Sequence, residues 1–516
     1  MRQPGTEDRY ARRRLQACLL LLAAAAIACQ SLFEDSPTPV QPRPRSSQPA
    51  TASPAPGTQS AVPVTPTVLL LATPTPGVAP ATETIAPPTG ANYQTQSGDT
   101  LAALALRFRT DAATIAQANP GLPQTQTIAP GTWLNLPTDS IPADAFAARL
   151  LPDSQVIFTQ ATLSFDVQAF VQSQPGFLAS YTEVLTATQP AQAGWQIVAD
   201  YARRYSINPR LLLALLELES HALSDPNPNP ALLAHPLNAI GPSMLPGLSH
   251  QLGWVTNQLN YGFYGWQDGS LLRFATTEGG LHAGDGRLNP GSFAVARVLA
   301  LLHNQTAFAQ LTAPDGFPAL YQRLFGAALA ADDTPLLPGG LTQPELQLPF
   351  EPGRAWAFTS GPHPGYGSTL PWAALDFAPP AKKPGCVQSD EWDVAVHAGQ
   401  VTYSDQGLVD LDIGGGWTVV YLHVETRDRA PVGTVMASGG RLGHPSCEGG
   451  EATASHLHIS RRYNGEWIAA DGFTPFVLSG WTAHAGDGPY KGTLTNADNS
   501  IVACSCGTAN TRLQLP

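Results

Sequence analysis

The chain has 516 residues, a length sufficient for about two to four domains and a sizeable hydrophobic core. Its formal net charge of -12 provides no basic surface, so nucleic acid is not expected among its partners. Only 13% of the residues are charged, whereas 49 are proline and 47 are glycine, a balance typical of loops, turns and linkers rather than a helical array.

The N-terminal segment, residues 1–29, has the features of an export signal. Arg12, Arg13 and Arg14 precede an apolar run from Leu15 to Ala28 that is too short to span a bilayer comfortably. The run ends in small residues directly before Cys29, which resembles a bacterial lipoprotein signal and implies lipidation of this cysteine. An ordinary signal peptide cut nearby is the alternative. Both interpretations predict an extracytoplasmic protein, and the first adds a membrane anchor.

Residues 30–91 are rich in proline, threonine and serine and have too little periodic apolar surface to fold. We predict a disordered linker here. Because proline stiffens such a chain, the linker would give an anchored domain a long reach.

Residues 92–137 predict a small module of the order β-α-α-β. An alternating stretch at its start predicts a short strand, and residues 97–100 (Ser-Gly-Asp-Thr) supply a turn with helix N-cap chemistry. Apolar residues then recur at helical spacing, a second short helix follows, and residues 133–136 predict a closing strand.

With its SGDTL motif and the later Asn119, this module resembles the LysM family over its whole length. The resemblance implies binding to glycans that contain N-acetylglucosamine, such as peptidoglycan. The apolar positions are expected in the core. Glycan contacts are therefore expected from two loops, with Gly98, Asp99 and Thr100 in the first and Asn119 in the second.

Residues 138–344 carry mostly helical periodicity and predict a helical middle domain. Its clearest helix begins with Asn208 as N-cap and Pro209 at the first helical position, and Glu219 extends its apolar stripe. This helix resembles the one that bears the catalytic glutamate of lytic transglycosylases. The Gly-x-Met-Gln element of that family has no convincing match, so a spacer or positioning domain is preferred and glycan cleavage through Glu219 is an alternative.

Residues 345–490 change to short apolar strands separated by glycine and proline turns, which predicts an all-β domain. The segment contains four residues suited to metal and proton chemistry. His456 and His458 are two residues apart in a predicted strand, so both imidazoles face one side. His423 lies in a second strand, and Asp376 ends an apolar run. A hydrolytic zinc site needs three protein ligands, an open position and groups that move protons.

This constellation resembles the lysostaphin/beta-lytic (LytM-like) zinc endopeptidases, which implies an antiparallel sheet with a duplicated hybrid motif. Most members carry His-x-x-x-Asp, but Trp372 stands at that histidine position here. The beta-lytic branch places its first ligand thirteen residues before the aspartate, and His363 has that spacing before Asp376. The resemblance therefore implies one zinc ion held by His363, Asp376 and His458. It also implies a catalytic pair, His423 and His456, with His456 the stronger candidate for general base.

Four cysteines lie in the C-terminal part of the chain. Cys447 precedes His456 by nine residues, where the beta-lytic branch has a disulfide cysteine, and the resemblance implies a bridge to Cys386. Residues 491–516 are predicted as a C-terminal extension. The state of its Cys504 and Cys506 is left open, since they could form a strained pair, stay free or bind partners. A second zinc site formed by the four thiols is the metal alternative.

The sequence thus predicts a multidomain α+β protein that acts as a zinc-dependent endopeptidase on peptide bonds of peptidoglycan, held at the cell envelope by a lipid and by a LysM module. Two alternatives remain. The position of Trp372 motivates a non-catalytic wall-binding adaptor on a degenerate peptidase fold, and Glu219 motivates glycan cleavage by the middle domain. No oligomeric state is predicted.

Overall fold

The computed structural model describes residues 90–137, 141–185, 190–241, 244–326, 335–381, 383–506 and 509–514. The predicted export signal with Cys29, and the linker up to residue 89, lie outside the described residues. No helix in the described ranges is both long and apolar enough to cross a membrane.

The helices fall in the N-terminal module and the middle of the chain. Within the described residues they are α1 (Leu101–Arg107), α2 (Ala112–Ala118), α3 (Val167–Gln172), α4 (Gly194–Tyr205), α5 (Pro209–Ser220), α6 (Pro230–Ala234), α7 (Leu248–Asp268), α8 (Pro290–Leu302), α9 (Gln305–Leu311) and α10 (Phe317–Phe325). Short 3-10 helices span Asp153–Gln155, Gln160–Ser164, Phe177–Ala179 and Ala509–Thr511.

The strands concentrate in the C-terminal third. In the described ranges they are β1 (Tyr93–Gln94), β2 (Trp133–Leu134), β3 (Thr182–Glu183), β4 (Gln192–Ala193), β5 (Arg273–Ala275), β6 (Leu281–Ala283), β7 (Ala355–His363), β8 (Ala374–Ala378), β9 (Asp393–Val394), β10 (Gly399–Asp405), β11 (Leu408–Gly414), β12 (Trp417–Leu422), β13 (Val435–Met436), β14 (Arg441–Gly443), β15 (Leu457–Tyr463), β16 (Glu466–Trp467), β17 (Val477–Leu478), β18 (Trp481–Ala485), β19 (Gly492–Thr495), β20 (Ser500–Val502) and β21 (Arg512–Gln514).

The N-terminal module has the predicted β-α-α-β order. β1 and β2 pair antiparallel, with Tyr93 opposite Leu134. Thr100 caps α1 by accepting a hydrogen bond from the Ala103 amide, as expected for an N-cap threonine. The two helices and two strands enclose a small core of their own, formed by buried apolar side chains such as Leu104 and Phe108.

The middle domain is mainly helical, as predicted. Asn208 caps α5 and Pro209 occupies its first turn. The long helix α7 packs against α8 at a close approach that Gly262 permits, since a Cβ at this position would lie 2.8 Å from the Ala294 Cα. These helices bury the largest apolar core among the described residues.

The C-terminal domain is an antiparallel β structure, again as predicted. Its main sheet has the strand order β13-β10-β11-β12-β15-β8-β7-β21, with β16 paired to β15. A second sheet has the order β17-β18-β19-β20. Residues 491–516, expected as an extension, contribute β19 and β20 to the second sheet and β21 to the main sheet. This part of the chain therefore completes the domain.

The two faces of the main sheet pack against different partners. Along β15, Leu457 and Ile459 enter the core of the C-terminal domain. The intervening His458 points to the opposite face because side chains alternate along a strand. On that opposite face, Val420 and Leu422 of β12 join the core of the middle domain. The middle domain therefore covers part of the sheet face that carries His458.

Polar contacts and a buried tryptophan fix the two domains together. Trp467 is 3% exposed, and its indole N–H donates to the Tyr205 carbonyl at 3.2 Å. Arg203 on α4 pairs with Asp410 on β11 at 2.9 Å. One continuous apolar core thus joins the middle domain to the sheet.

Candidate metal centre

Three residues from neighbouring strands converge at one end of the main sheet. Asp376 on β8 lies directly opposite His458 on β15. His363 is the last residue of β7, which pairs with the other edge of β8 through two register shifts, and it lies opposite Ala374. The pairing of β7, β8 and β15 therefore brings the three residues together, although the two histidines are 95 positions apart in the sequence.

The facing atoms of these three side chains lie within reach of one small cation. The Nε2 atom of His363 is 3.0 Å from the Nδ1 atom of His458. The Oδ1 atom of Asp376 is 3.2 Å from that Nε2 atom and 3.3 Å from that Nδ1 atom. All three residues are buried, and Asp376 Oδ1 has no hydrogen-bond partner in the described part of the chain. A buried carboxylate oxygen without a donor is costly unless a cation meets it.

The outer hydrogen bonds of both imidazoles fix which nitrogen is free. His363 Nδ1 lies 2.8 Å from the Gly361 carbonyl and His458 Nε2 lies 3.0 Å from the Gly365 carbonyl. Because a carbonyl only accepts, these outer nitrogens carry the protons of the neutral rings. Lone pairs on the two inner nitrogens and on Asp376 Oδ1 then point at one another. Two imidazoles and a carboxylate, each oriented from outside, are a donor set that zinc binds.

The charges in this cluster follow from burial and proximity. Burial alone would raise the pKa of Asp376, but the charge of the neighbouring His363 imidazole outweighs burial and holds the pKa well below its usual range. Burial opposes protonation of His363, yet the Asp376 carboxylate outweighs it and raises the His363 pKa. Burial lowers the pKa of His458. Asp376 is therefore ionised, as a metal ligand must be.

A second pair of imidazoles lies beside the first cluster. The rings of His423 and His456 are 4.4 Å apart between centroids. Each Nδ1 faces a backbone carbonyl, that of Glu448 at 2.9 Å for His423 and that of Ala454 at 2.8 Å for His456. The Nε2 atom of His456 is 3.8 Å from Asp376 Oδ1. Burial, followed by the nearby His456 and His458, lowers the pKa of His423 to about 3, so this ring is neutral near pH 7.

The loop that holds His423 is braced by a disulfide bond. Cys386 and Cys447 are joined, with their Cα atoms 5.7 Å apart. Glu448, the next residue, supplies the carbonyl that meets His423 Nδ1. His423 itself follows the end of β12 with a φ of 68°, a conformation that the surrounding structure must hold in place.

Comparison with known proteins agrees with this architecture. The model of the LysM domain family matches residues 93–137, and the model described as "LasA, N-terminal domain" matches residues 149–336. The chain is 27% identical to Protease LasA of Pseudomonas aeruginosa over 383 residues, which is 69% of this chain and 87% of that protein. This chain joins a LysM domain to a LytM-like peptidase domain. The resemblances to both families are thereby confirmed.

Other relatives match a smaller share of the chain. The Beta-lytic metalloendopeptidase of Achromobacter lyticus is 29% identical over 190 residues, 35% of this chain and 47% of that protein. Among solved structures, the M23 metalloprotease pseudoalterin matches with 21% identity and a TM-score of 0.28, covering 31% of this chain and 96% of that one.

The LysM residues expected to meet glycan have other partners in this structure. Asp99 is buried, pairs with Arg107 and accepts a hydrogen bond from the Tyr93 hydroxyl at 2.6 Å. Thr100 caps α1. Asn119 bonds to the backbone of Asn135 through both its amide nitrogen and its oxygen. These contacts stabilise the module, and a glycan-binding role for the four residues remains a prediction.

The middle-domain glutamate pairs with a histidine. The Oε1 atom of Glu219 lies 2.8 Å from Nε2 of His303, and the Glu219 side chain is 2% exposed. Its neighbour Glu217 accepts hydrogen bonds from the Leu223 amide and the Ser224 hydroxyl just beyond the end of α5. Glu217 therefore closes the helix end, and Glu219 remains the residue on which the glycan-cleavage alternative depends.

The structure adds one aromatic residue that the sequence did not indicate. The Tyr490 ring stacks on His363 with a centroid distance of 4.5 Å and an interplanar angle of 22°. Its amide donates to the Pro362 carbonyl at 3.1 Å, and its carbonyl accepts from the Gly361 amide at 2.8 Å. Tyr490 lies in a glycine-rich turn 127 residues beyond His363, and no periodicity links the two.

Cys504 and Cys506 are also joined in this structure, whereas the sequence left their state open.

Trp372 lies outside the cluster, and its backbone carbonyl accepts a hydrogen bond from the Ala470 amide at 2.8 Å. Trp372 therefore takes no part in the cluster, and His363 supplies its third side chain.

Proposed function

We propose that the protein is a zinc-dependent endopeptidase that hydrolyses peptide bonds in peptidoglycan. The main support is that the inner nitrogens of His363 and His458 converge on the Oδ1 atom of Asp376, which has no hydrogen-bond partner among the described residues. His363, Asp376 and His458 would hold a zinc ion, which would supply Lewis-acid chemistry to a bound water and to the peptide carbonyl.

His456 is the proposed general base. Its side chain is 17% exposed, so it is more accessible than the three buried ligand residues. Its Nδ1 proton is held by the Ala454 carbonyl, which leaves Nε2 free on the side of Asp376. His456 would take a proton from the attacking water and pass it to the amine that leaves.

His423 and Tyr490 are proposed to complete the site. His423 stays neutral because burial lowers its pKa to about 3, so its Nε2 atom is an acceptor for a donor group on the substrate or on water. The half-exposed Tyr490 keeps the His363 ring in place by stacking and presents a hydroxyl donor at the rim. A neutral donor such as the Tyr490 hydroxyl can stabilise the oxyanion that forms during peptide hydrolysis.

The remaining parts of the chain support a location at the cell envelope. The LysM domain supports peptidoglycan binding, and the relatives named above include a protease and a beta-lytic metalloendopeptidase. We propose an extracytoplasmic protein that is lipid-anchored through Cys29, with the residues up to 89 as signal and tether. Loss of membrane association in Cys29→Ala, with export retained, would support the anchor.

Two measurements test the enzymatic proposal. Metal analysis of the purified protein should find about one zinc per chain. Muropeptide digestion should give new peptide termini with the wild type but not with chelated protein or with His456→Ala. A chain that cannot be loaded with zinc would favour the non-catalytic adaptor.

The glycan-cleaving alternative has a separate readout. Cleavage through Glu219 would give anhydro-sugar products that survive chelation and disappear in Glu219→Gln. We expect no such products. Their detection would assign a second activity to the middle domain.

A further inference from the structure

The first glycan-binding loop of the LysM domain, residues 97–100, is covered by other parts of the same chain. The Ser97 hydroxyl accepts a hydrogen bond from the Leu337 amide at 2.7 Å. The space beside Gly98 is filled by the side-chain amide of Gln267 on α7, so any side chain at position 98 would collide with it. Ser97 and Asp99 are both buried.

The second loop, between α2 and β2, meets the same segment. The Thr127 hydroxyl donates to the Pro338 carbonyl at 2.9 Å, and the Gly340 amide donates to the Thr127 carbonyl at 3.0 Å. Gly339 lies so close to Ala129 that a Cβ at 339 would be 2.6 Å from its Cα. Residues 336–340, here called the docking segment, therefore bond to both loops of the LysM domain.

The docking segment is also tied to the peptidase domain. The Leu336 carbonyl accepts a hydrogen bond from Asn464 at 2.8 Å. Leu337 is buried in a small apolar cluster with Trp417 and Ile468. The LysM loops thus meet the sheet through one short piece of chain.

We propose that the glycan-binding face of the LysM domain is an intramolecular docking surface, occupied by the docking segment, and that wall glycan competes with this segment for the two loops. The proposal rests on the peptidoglycan-binding role given above. A ligand that needs the face free must displace the segment, so docking lowers the apparent affinity for glycan. By linkage, bound glycan loosens the contact between the LysM domain and the peptidase domain.

An open cleft gives glycan a route to this contact. It has a volume of about 840 Å³, and its lining includes Gln126 of the second loop, Leu341 directly after the docking segment, and Phe473 of the peptidase domain. An oligosaccharide entering here reaches the second loop before the segment leaves. The half-buried ring of Phe473 offers a surface on which a sugar can stack.

The test uses the full chain and a soluble β-1,4-linked oligomer of N-acetylglucosamine. Gly339→Val should force the docking segment away from Ala129 without changing a LysM or active-site residue. We expect at least about fivefold tighter binding by calorimetry, the lower end of usual coupling factors. Gly472→Val is the matched control, because a Cβ there meets only the Ala469 Cβ, at an ordinary 3.6 Å. Gly339→Ala is a milder second variant should the valine impair folding.

Hydrogen exchange reports the displacement directly. In wild type, saturating oligomer should expose the amides of Leu337 and Gly340, which are bonded to Ser97 and Thr127 in the docked state. Equal affinities of wild type and both variants, with these amides still protected in the complex, would overturn the competition while leaving glycan binding intact. No binding by any variant would overturn the glycan-binding role itself, whereas the peptidase proposal is judged by muropeptide products alone.

Discussion

His363 and His458 face each other across 3.0 Å through the two ring nitrogens that their outer hydrogen bonds leave unprotonated. Two lone pairs at this distance repel, and the ionised Asp376 beside them adds a third. Such an arrangement is stable only when a proton or a metal ion lies between the donors. The cluster is therefore built to bind a cation, either a proton on His363, whose pKa Asp376 raises, or a metal ion.

Replacement of His363 should abolish zinc binding rather than merely perturb it. Changes in the outer hydrogen bonds of zinc ligands lower affinity by about 10- to 100-fold, so loss of the ligand in His363→Ala should cost more than about 100-fold. Competition with a chromogenic chelator measures the affinity. His397→Ala is the control, since His397 faces its neighbour's carbonyl and lies outside the cluster. Unchanged zinc affinity in His363→Ala would remove position 363 from the ligand set.

Substitutions of Tyr490 should separate stacking from hydrogen bonding. Tyr490→Phe keeps the ring that stacks on His363 and removes only the hydroxyl, so zinc affinity should stay unchanged while kcat falls. Tyr490→Ala removes both and should lower zinc affinity as well, by about 10-fold, because His363 loses its support. Identical zinc affinities in both variants would show that stacking does not position the ligand.

The sequence predicted those features that depend on neighbouring residues. Helix α5 follows from its Asn208 cap and Pro209, and the β-α-α-β order of the LysM domain follows from its turn and helical spacing. The shared side of His456 and His458 follows from period two along a strand, and both approach Asp376.

What the sequence could not predict are contacts between distant segments. Tyr490 reaches His363 because the turn before β19 bonds to the end of β7, and no local pattern records that pairing. The union of the middle domain with the sheet likewise depends on single residues such as Trp467, which an apolar pattern does not distinguish from an ordinary core position. The covering of the LysM loops by residues 336–340 has the same origin.

The disulfide between Cys386 and Cys447 should support both stability and catalysis. It closes a loop of 61 residues, for which the chain-entropy model gives about 4 kcal/mol of stabilisation. A Cys386→Ala/Cys447→Ala variant should lose free energy of unfolding of this order. It should also lose activity, by about tenfold or more, since the Glu448 carbonyl no longer holds His423.

Denaturant titration and peptide-release assays measure the two effects of that variant. The double variant at Cys504 and Cys506 is the control, because this pair closes only a two-residue separation far along the chain from His423. Equal loss of activity in both double variants would argue that the first bridge has no special role at the site.

Glu466 should make stability fall as the pH rises. Its carboxyl is buried, which raises its pKa to about 8 from an unfolded value of 4.5. Since the folded pKa is the higher one, the folded state binds the proton more tightly, and the stabilisation is complete below about pH 4.5 and lost as the pH passes about 8. In Glu466→Gln the free energy of unfolding should be nearly flat across this window, exceeding that of wild type at high pH by a few kcal/mol, at most about 5. Parallel pH profiles of the two proteins would contradict the raised pKa.

Trp467 should couple the middle domain to the peptidase domain in unfolding. Its ring is buried in the shared core and its indole N–H bonds to Tyr205, so Trp467→Ala should lower the free energy of unfolding by about 3–5 kcal/mol. Trp195→Ala, at a half-buried position on α4, is the matched control and should have a smaller effect.

The effect of zinc on hydrogen exchange provides a second measurement of the coupling between the middle domain and the peptidase domain. Because a ligand stabilises the whole cooperative unit to which it binds, zinc should raise hydrogen-exchange protection in α4 and α7 of the wild type as well as in the sheet. In Trp467→Ala the effect on the two helices should shrink while the sheet still responds. If zinc protects the sheet alone in the wild type, the two domains unfold separately, and the shared core does not make them one unit.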